Sequence, residues 1–307
     1  MDKIYIHEVG PRDGLQVEKI AAPLEEKIRW IEGLFTSGID IIQLGSFVNP
    51  ERVPQMADTD ALFRYFSEGG KKPENVSLSG LVLNEKGLER GLACGVEMFC
   101  MGVSASETHS RKNTGITSTE AQARILSMAK QALVTGKQVQ ASVQSAFGCG
   151  FEGSIAKEKV LNIVKAYLEA GIRNISLADT AGHAQPAQVE DLYGAIRELD
   201  PDVEMACHFH NTYGLGLANC YAALKSGVTY FESAFGGLGG CPFTKLPAGN
   251  VSTEDLVHTL QRMGLRKDVK LDALLDVARQ VSAFFERELP GFILKSGSIV
   301  DFHGRVV

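Results

Sequence analysis

Eight short strand-like runs alternate with helical patterns along this chain, and that alternation limits its fold more than any other feature. The runs are IYIHEV (4–9), IDIIQL (39–44), VSLSGLVL (76–83), EMFCMGV (97–103), KQVQASVQ (137–144), NISLAD (174–179), VEMACHFH (203–210) and TYFESAF (229–235). Several are apolar on both faces, as parallel strands covered from both sides must be. Helical periodicity fills the gaps. Pro23 opens a helix that stops at Ser37-Gly38, Ser118 one reaching Gly136, Ser154 one ending at Gly171, Pro186 one through Ile196, and Leu215 one running to Lys225. Four joins repeat a small residue, a glycine and then a strand: SGID, CGVE, AGIR and SGVT. Eight such units in 307 residues predict an α/β protein, a closed (β/α)8 TIM barrel. The rival, a doubly wound open sheet, lacks its G-x-G-x-x-G turn after the first strand; Gly236-Gly237-Leu238-Gly239-Gly240 follows the eighth instead. Helical patterns at Glu254–Met263 and Leu271–Phe285 and a Pro290-Gly291 break complete the reading: one catalytic domain over 1–307, with a C-terminal helical extension from about 265 to 307.

Composition narrows the function classes. Charged residues at 22% and hydrophobic ones at 44% exclude wholesale disorder. The sequence contains no apolar run of the ~18 residues that a membrane helix needs. The start MDKIYIHEVG reads as a strand, with no signal peptide. A net charge of -6 argues against a nucleic-acid partner. The six cysteines, Cys94, Cys100, Cys149, Cys207, Cys220 and Cys241, form no C-x-x-C pair, which fits a reduced, cytoplasmic protein.

Barrel chemistry collects just past the C-terminal ends of the strands. Those ends carry Arg12-Asp13, Gln43, Ser104 to Glu107, Gln144, Asp179-Thr180 and His208-Phe209-His210, with Asn250 beyond the eighth strand. His208 and His210, two apart on a strand, leave one face together and offer two neutral nitrogen ligands; alternatively, one of them is a hydrogen-bonded core histidine. Asp13 can add a carboxylate and Asn250 a carbonyl oxygen. Two nitrogens and two oxygens suit an octahedral divalent metal such as Mg²⁺ or Mn²⁺. Arg12 either polarises a carbonyl and holds an enolate oxygen or ties down its loop in a salt bridge. Cys241, ending GGLGGCP, is either a general acid toward a carbanion or a small buried hydrophobe.

Together these stretches resemble the 3-hydroxy-3-methylglutaryl-CoA lyase family: EVGPRDGLQVE (8–18), GSFVNPERVPQMAD (45–58), SASETHSRKN (104–113), SLADTAG (176–182), HFHNTYGLGLAN (208–219) and GGLGGCPF with AGNVSTEDLV (236–257). The resemblance implies metal ligands at Asp13, His208, His210 and Asn250, an enolate-holding Arg12, an acid/base at Asp179 and a thiol at Cys241. Glu254 and Asp255 match an acidic pair following the Asn, or else begin a helix capped by Ser252-Thr253. Where the family carries Glu at the end of strand two, this chain has Gln43, of similar size but without the charge. Leu246-Pro247 alters the loop after Cys241, and Lys295 replaces an expected CoA-holding Arg. The implied activity is divalent-metal-dependent retro-Claisen cleavage of 3-hydroxy-3-methylglutaryl-CoA to acetyl-CoA and acetoacetate, with Asp179 or His208 as base. Its alternatives are a lyase for a related 3-hydroxyacyl-CoA such as citramalyl-CoA, a Claisen-type synthase, or a non-catalytic acyl-CoA- or metal-binding homologue. An acyl-CoA substrate and a homo-oligomer are the implied partners.

Overall fold

The computed structural model describes residues 3–68, 70–240 and 249–299. Among these, eight parallel strands close into a barrel in chain order, with β1 pairing both β2 and β8. They are β1 (Tyr5–Glu8), β2 (Ile41–Ser46), β3 (Ser77–Leu81), β4 (Met98–Ser104), β5 (Gln138–Gln144), β6 (Asn174–Asp179), β7 (Glu204–Phe209) and β8 (Tyr230–Ser233). Each falls on one of the eight runs read from the sequence, and β2 continues to Ser46. The four glycines of the repeated joins, Gly38, Gly95, Gly171 and Gly227, all have positive φ. They end the preceding segment in the left-handed conformation that glycine adopts without penalty.

The helices are α1 (Leu24–Ser37), α2 (Thr59–Ser67), α3 (Glu85–Ala93), α4 (Glu107–Thr114), α5 (Ser118–Val134), α6 (Lys157–Glu169), α7 (Pro186–Leu199), α8 (Gly216–Lys225), α9 (Thr253–Arg262), α10 (Leu271–Phe284) and α11 (Phe292–Ser296). The expectation of a helix from Ser154 is corrected to Lys157, with Ala156 as its extended cap residue. The sequence reading also omitted α2, α3 and α4. The reason is clearest at α4, ETHSRKNT, which has no apolar stripe; a side-chain cap, Ser106 Oγ accepting from the His109 amide, marks its start. No described helix is long and apolar enough to cross a membrane.

Inside the barrel the layers differ in chemistry. Ile41, Met98, Ala206 and Tyr230 form an apolar floor, with Tyr5 stacked on Tyr230 at 4.5 Å. Above it the interior turns polar: His7 Nε2 meets Ser79 Oγ at 2.7 Å, and Ser176 Oγ donates to Glu232 Oε1 at 2.7 Å. Outside, α10 packs on α1, where Trp30 makes edge contacts with Phe235 and Phe284.

The N-terminal end of the barrel is tied by one buried ion pair. Arg266 donates to Asp40 Oδ2 at 2.5 Å and to the Ile4 carbonyl at 2.9 Å, while Asp40 Oδ2 also accepts from the Ile6 amide at 2.9 Å. Removing Arg266 leaves Asp40 with only the exposed Lys3, 3.0 Å from its other oxygen, and strips the Ile4 carbonyl of its donor. Arg266→Ala is therefore expected to cost about 1.5–3 kcal/mol, read as a lower midpoint in urea unfolding with an unchanged slope; a loss under about 1 kcal/mol would refute this role.

Candidate active site

The catalytic end is assembled from the two ends of the fold. After β1 the chain makes a π-helical turn, Gly10–Gly14, in which the Arg12, Asp13 and Gly14 amides all converge on the Val9 carbonyl at 3.1, 2.7 and 3.3 Å. Glu8, fully buried, fixes this turn. Its Oε1 accepts from the Gly10 amide at 2.7 Å and the Phe235 amide at 2.9 Å, and its Oε2 from the Thr253 hydroxyl at 2.6 Å. Burial pushes the Glu8 carboxyl up to about 8 against the pull of those donors.

The turn presents Arg12 and Asp13 to a cavity of about 540 Å³ in the barrel mouth. Asp13 Oδ1 takes the Arg12 guanidinium at 2.5 Å, and Asp13 Oδ2 accepts from Asn250 Nδ2 at 2.8 Å. The same Oδ2 lies 3.9 Å from His208 Nε2 and 4.0 Å from His210 Nε2, and those two nitrogens are 3.1 Å apart. Arg12 also donates through Nε to Gln43 Oε1. Burial opposes charge on Asp13, but Arg12 and the two imidazoles outweigh it and hold its carboxyl well below the usual range. Gly239, at φ 100°, completes the seat: a Cβ there would meet Asn250 Nδ2 at 2.5 Å.

Behind His208 stands a residue the sequence reading did not single out. Glu232 Oε2 sits 2.9 Å from His208 Nδ1, the pairing that fixes an imidazole's tautomer and leaves Nε2 free to act. Burial would lower the His208 pKa, but Glu232 and then Asp13 outweigh it and raise it above 6.5; burial and neighbouring His208 instead push His210 down to about 4. The signal for Glu232 was an acid inside the apolar run TYFESAF, and register places it opposite His208.

The donor set fits a divalent cation. Asp13, His208 and His210 offer ligand atoms all within 4.8 Å of one another. Asn250 Oδ1 is buried without a hydrogen-bond partner among the described residues, an acceptor that a bound cation would satisfy. Two imidazole nitrogens at contact distance also repel unless a proton or a metal lies between them.

Asp179 sits among backbone amides at the end of β6. Its carboxylate is fully buried and accepts from the His183 amide at 2.8 Å and the Ala184 amide at 3.2 Å, and it is not among the residues lining the cavity. Burial pushes it up to about 7. Glu254 and Asp255 likewise serve backbone. Glu254 accepts from the Gly236 amide at 2.9 Å, Asp255 takes the Phe292 and Ile293 amides at the start of α11, and Ser252 caps α9. Cys241 and Leu246-Pro247 lie outside the described residues. A second cavity, about 760 Å³, adjoins the first at Val17 and Gly240; Lys19, Arg287 and Lys295 line it with Glu18, which pairs with Arg287, and Glu288, 3.9 Å from Lys295.

With this geometry in hand, the comparisons are specific. Residues 3–281 match the family model described as HMGL-like. Hydroxymethylglutaryl-CoA lyase YngG of Bacillus subtilis is 38% identical over 288 residues, 94% of this chain and 95% of that protein. The (R)-citramalyl-CoA lyase of Chloroflexus aurantiacus is 35% identical over 97% of this chain and 96% of its own. An HMG-CoA lyase from Acinetobacter baumannii, solved with coenzyme A and 3-methylmalate, superposes with a TM-score of 0.91 at 37% identity, covering 98% of this chain and 97% of that one.

Occupancy of the quartet is testable without turnover. At a hundredfold excess over its Kd, Mn²⁺ is expected to stabilise the fold by about 2.7 kcal/mol, raising Tm by on the order of 5 °C. His210→Ala and Asn250→Ala should abolish or sharply reduce that shift in calorimetry. The shift should also shrink as pH falls through the raised pKa of His208, because the metal competes with the proton that His208 binds more tightly here than in the unfolded chain. An equal shift in wild type and both variants would place the ion elsewhere.

Proposed function

The chain belongs to the HMGL-like family of carbon–carbon lyases, and from that membership we propose that it cleaves 3-hydroxy-3-methylglutaryl-CoA to acetyl-CoA and acetoacetate. The observation that carries this reading is the quartet Asp13, His208, His210 and Asn250 with the Arg12 guanidinium 2.5 Å from Asp13. Those four residues would hold a divalent ion, most simply Mg²⁺ or Mn²⁺, which when bound acidifies the substrate's hydroxyl and steadies its oxygens.

The remaining work falls to side chains. Arg12 is clamped by Gln43 and Asp13, and it keeps further N–H donors for the thioester oxygen, where charge gathers as the bond breaks. Glu232 on Nδ1 fixes His208 in the tautomer whose Nε2 lone pair would face the ion, and it strengthens that nitrogen as a ligand. With Nε2 so engaged, the hydroxyl proton would pass to a base other than His208. Asp179 acts as a positioning residue, holding the backbone of 183–184 beyond β6. Cys241 keeps the proton-donor role that the family resemblance implies. The second cavity, with Lys19, Arg287 and Lys295, suits the anionic arm of coenzyme A and opens beside the reaction centre at Gly240.

A second reading is favoured by one relative and one residue. The relative named (R)-citramalyl-CoA lyase spans nearly the whole chain, and Gln43 removes a negative charge beside Arg12. Citramalyl-CoA carries its carboxylate directly on the carbinol carbon, so an Arg12 with fewer anionic neighbours would hold that group better.

Incubating the Mn²⁺-loaded protein with both thioesters and measuring acetyl-CoA release tests the pair of readings. Cleavage of 3-hydroxy-3-methylglutaryl-CoA is expected, with Arg12→Gln lowering kcat by about 10²–10³ and Glu232→Gln shifting the acidic limb of the pH–rate profile downward. Release from neither thioester would sink the lyase reading, and faster release from citramalyl-CoA would move the assignment to the second.

A further inference from the structure

The barrel-mouth cavity is lined by two chemically distinct sets of residues. Its volume of about 540 Å³ is that of an ordinary small-molecule site, so its lining is what discriminates between ligands. The quartet and Arg12 occupy the side formed by β1, β7 and β8. The coenzyme A cavity opens there too, at Val17 and Gly240. On the side of β2, β3 and β4 the same cavity is lined by Val48, Val53, Leu81, Leu83 and Met101, with Asn49 and Asn84 beside them.

Two cations line this same cavity. Arg52 is exposed, and its side chain makes no hydrogen bond or ion pair among the described residues. Arg124, on α5, has only a loose contact with Glu85 at 3.7 Å. Three arginines, Arg12, Arg52 and Arg124, thus face the two carboxylates Asp13 and Glu232, and both carboxylates are already engaged at the metal end. Gln43 adds no third negative charge between the two sets. An apolar wall leading from the reaction centre to unopposed arginine suits a ligand arm that is apolar along its length and anionic at its tip.

Resting on the lyase reading above, we propose that the preferred substrate is a 3-hydroxyacyl-CoA whose carbinol carbon carries, in place of the methyl group, a chain of several carbons ending in a carboxylate. The chain lies against Val53, Leu81 and Leu83, and the terminal carboxylate pairs with Arg52. Arg52 and Leu83 are specificity residues in this assignment; neither touches the reacting bond.

The test uses three thioesters that differ only in the carbinol substituent: methyl, butyl and carboxybutyl. Acetyl-CoA release is followed with the Mn²⁺-loaded full chain. Each methylene buried is worth roughly fourfold, so kcat/KM for the carboxybutyl compound should exceed that for the methyl compound at least about tenfold, with butyl between them. Arg52→Gln should bring the carboxybutyl-to-butyl ratio near one. Leu83→Trp, which fills that side of the cavity, should lower the ratio of both longer compounds to methyl. Cleavage of the methyl compound with no gain for the longer ones, or an equal loss on all three in Arg52→Gln, would overturn the proposal and leave the lyase reading standing. Failure to cleave any of the three would remove the lyase reading and this proposal together.

Discussion

The catalytic end of this protein hangs on the carboxylate of Asp13. One of its oxygens takes Arg12 from the same turn, and the other takes the Asn250 amide from beyond β8 while facing both His208 and His210. Residues 237 positions apart in the chain therefore meet at a single oxygen. A carboxylate so placed stays ionised because the positive and polar groups around it outweigh its burial. It is a fixed negative point in a closed barrel, to which an arginine is bound on one side and a cation can be bound on the other.

Such a point holds its position only if the backbone beneath it does, and a set of buried carboxylates provides that. Glu8 joins the turn after β1 to the segment after β8 and to Thr253. Glu254 holds the Gly236 amide, Asp255 the start of α11, and Asp179 the backbone after β6. Each accepts amide hydrogens that short, glycine-rich connections leave without helical or strand partners. The C-terminal helices contribute to the same end: α10 lies on α1, and Trp30 packs between α10 and Phe235 at the base of the glycine segment. The residues after the eighth strand thus support the reaction centre as well as covering the barrel.

Charge is sorted across the mouth. Asp13 and Glu232 lie at the end of the cavity that carries the two histidines, while Arg52, in the loop after β2, and Arg124, on α5 and 3.7 Å from Glu85, line it elsewhere. The second cavity, beside Gly240, carries Lys19, Arg287 and Lys295 together with Glu18 and Glu288. A net charge of -6 says nothing of this arrangement, because a handful of inward-facing groups set the local field and the surface sets the total.

The sequence by itself determined the eight strands, the barrel they imply and the residue types of the metal quartet. These are legible because they depend on local periodicity, on glycine at positive φ and on a two-residue spacing along one strand. It could not determine which way the strand-end acids face. Asp179 reads as a catalytic acid at the end of NISLAD. But Ala178 aligns with His208 on the interior face, so Asp179 aligns with Phe209 on the outer one and turns to the loop backbone. Glu232, which reads as an interruption in an apolar strand, aligns with His208 and becomes its partner. Strand parity is fixed only when neighbouring strands set their register. The tertiary structure therefore decided which acids meet the histidines, where Gln43 meets Arg12, and how wide the cavity opens beyond them.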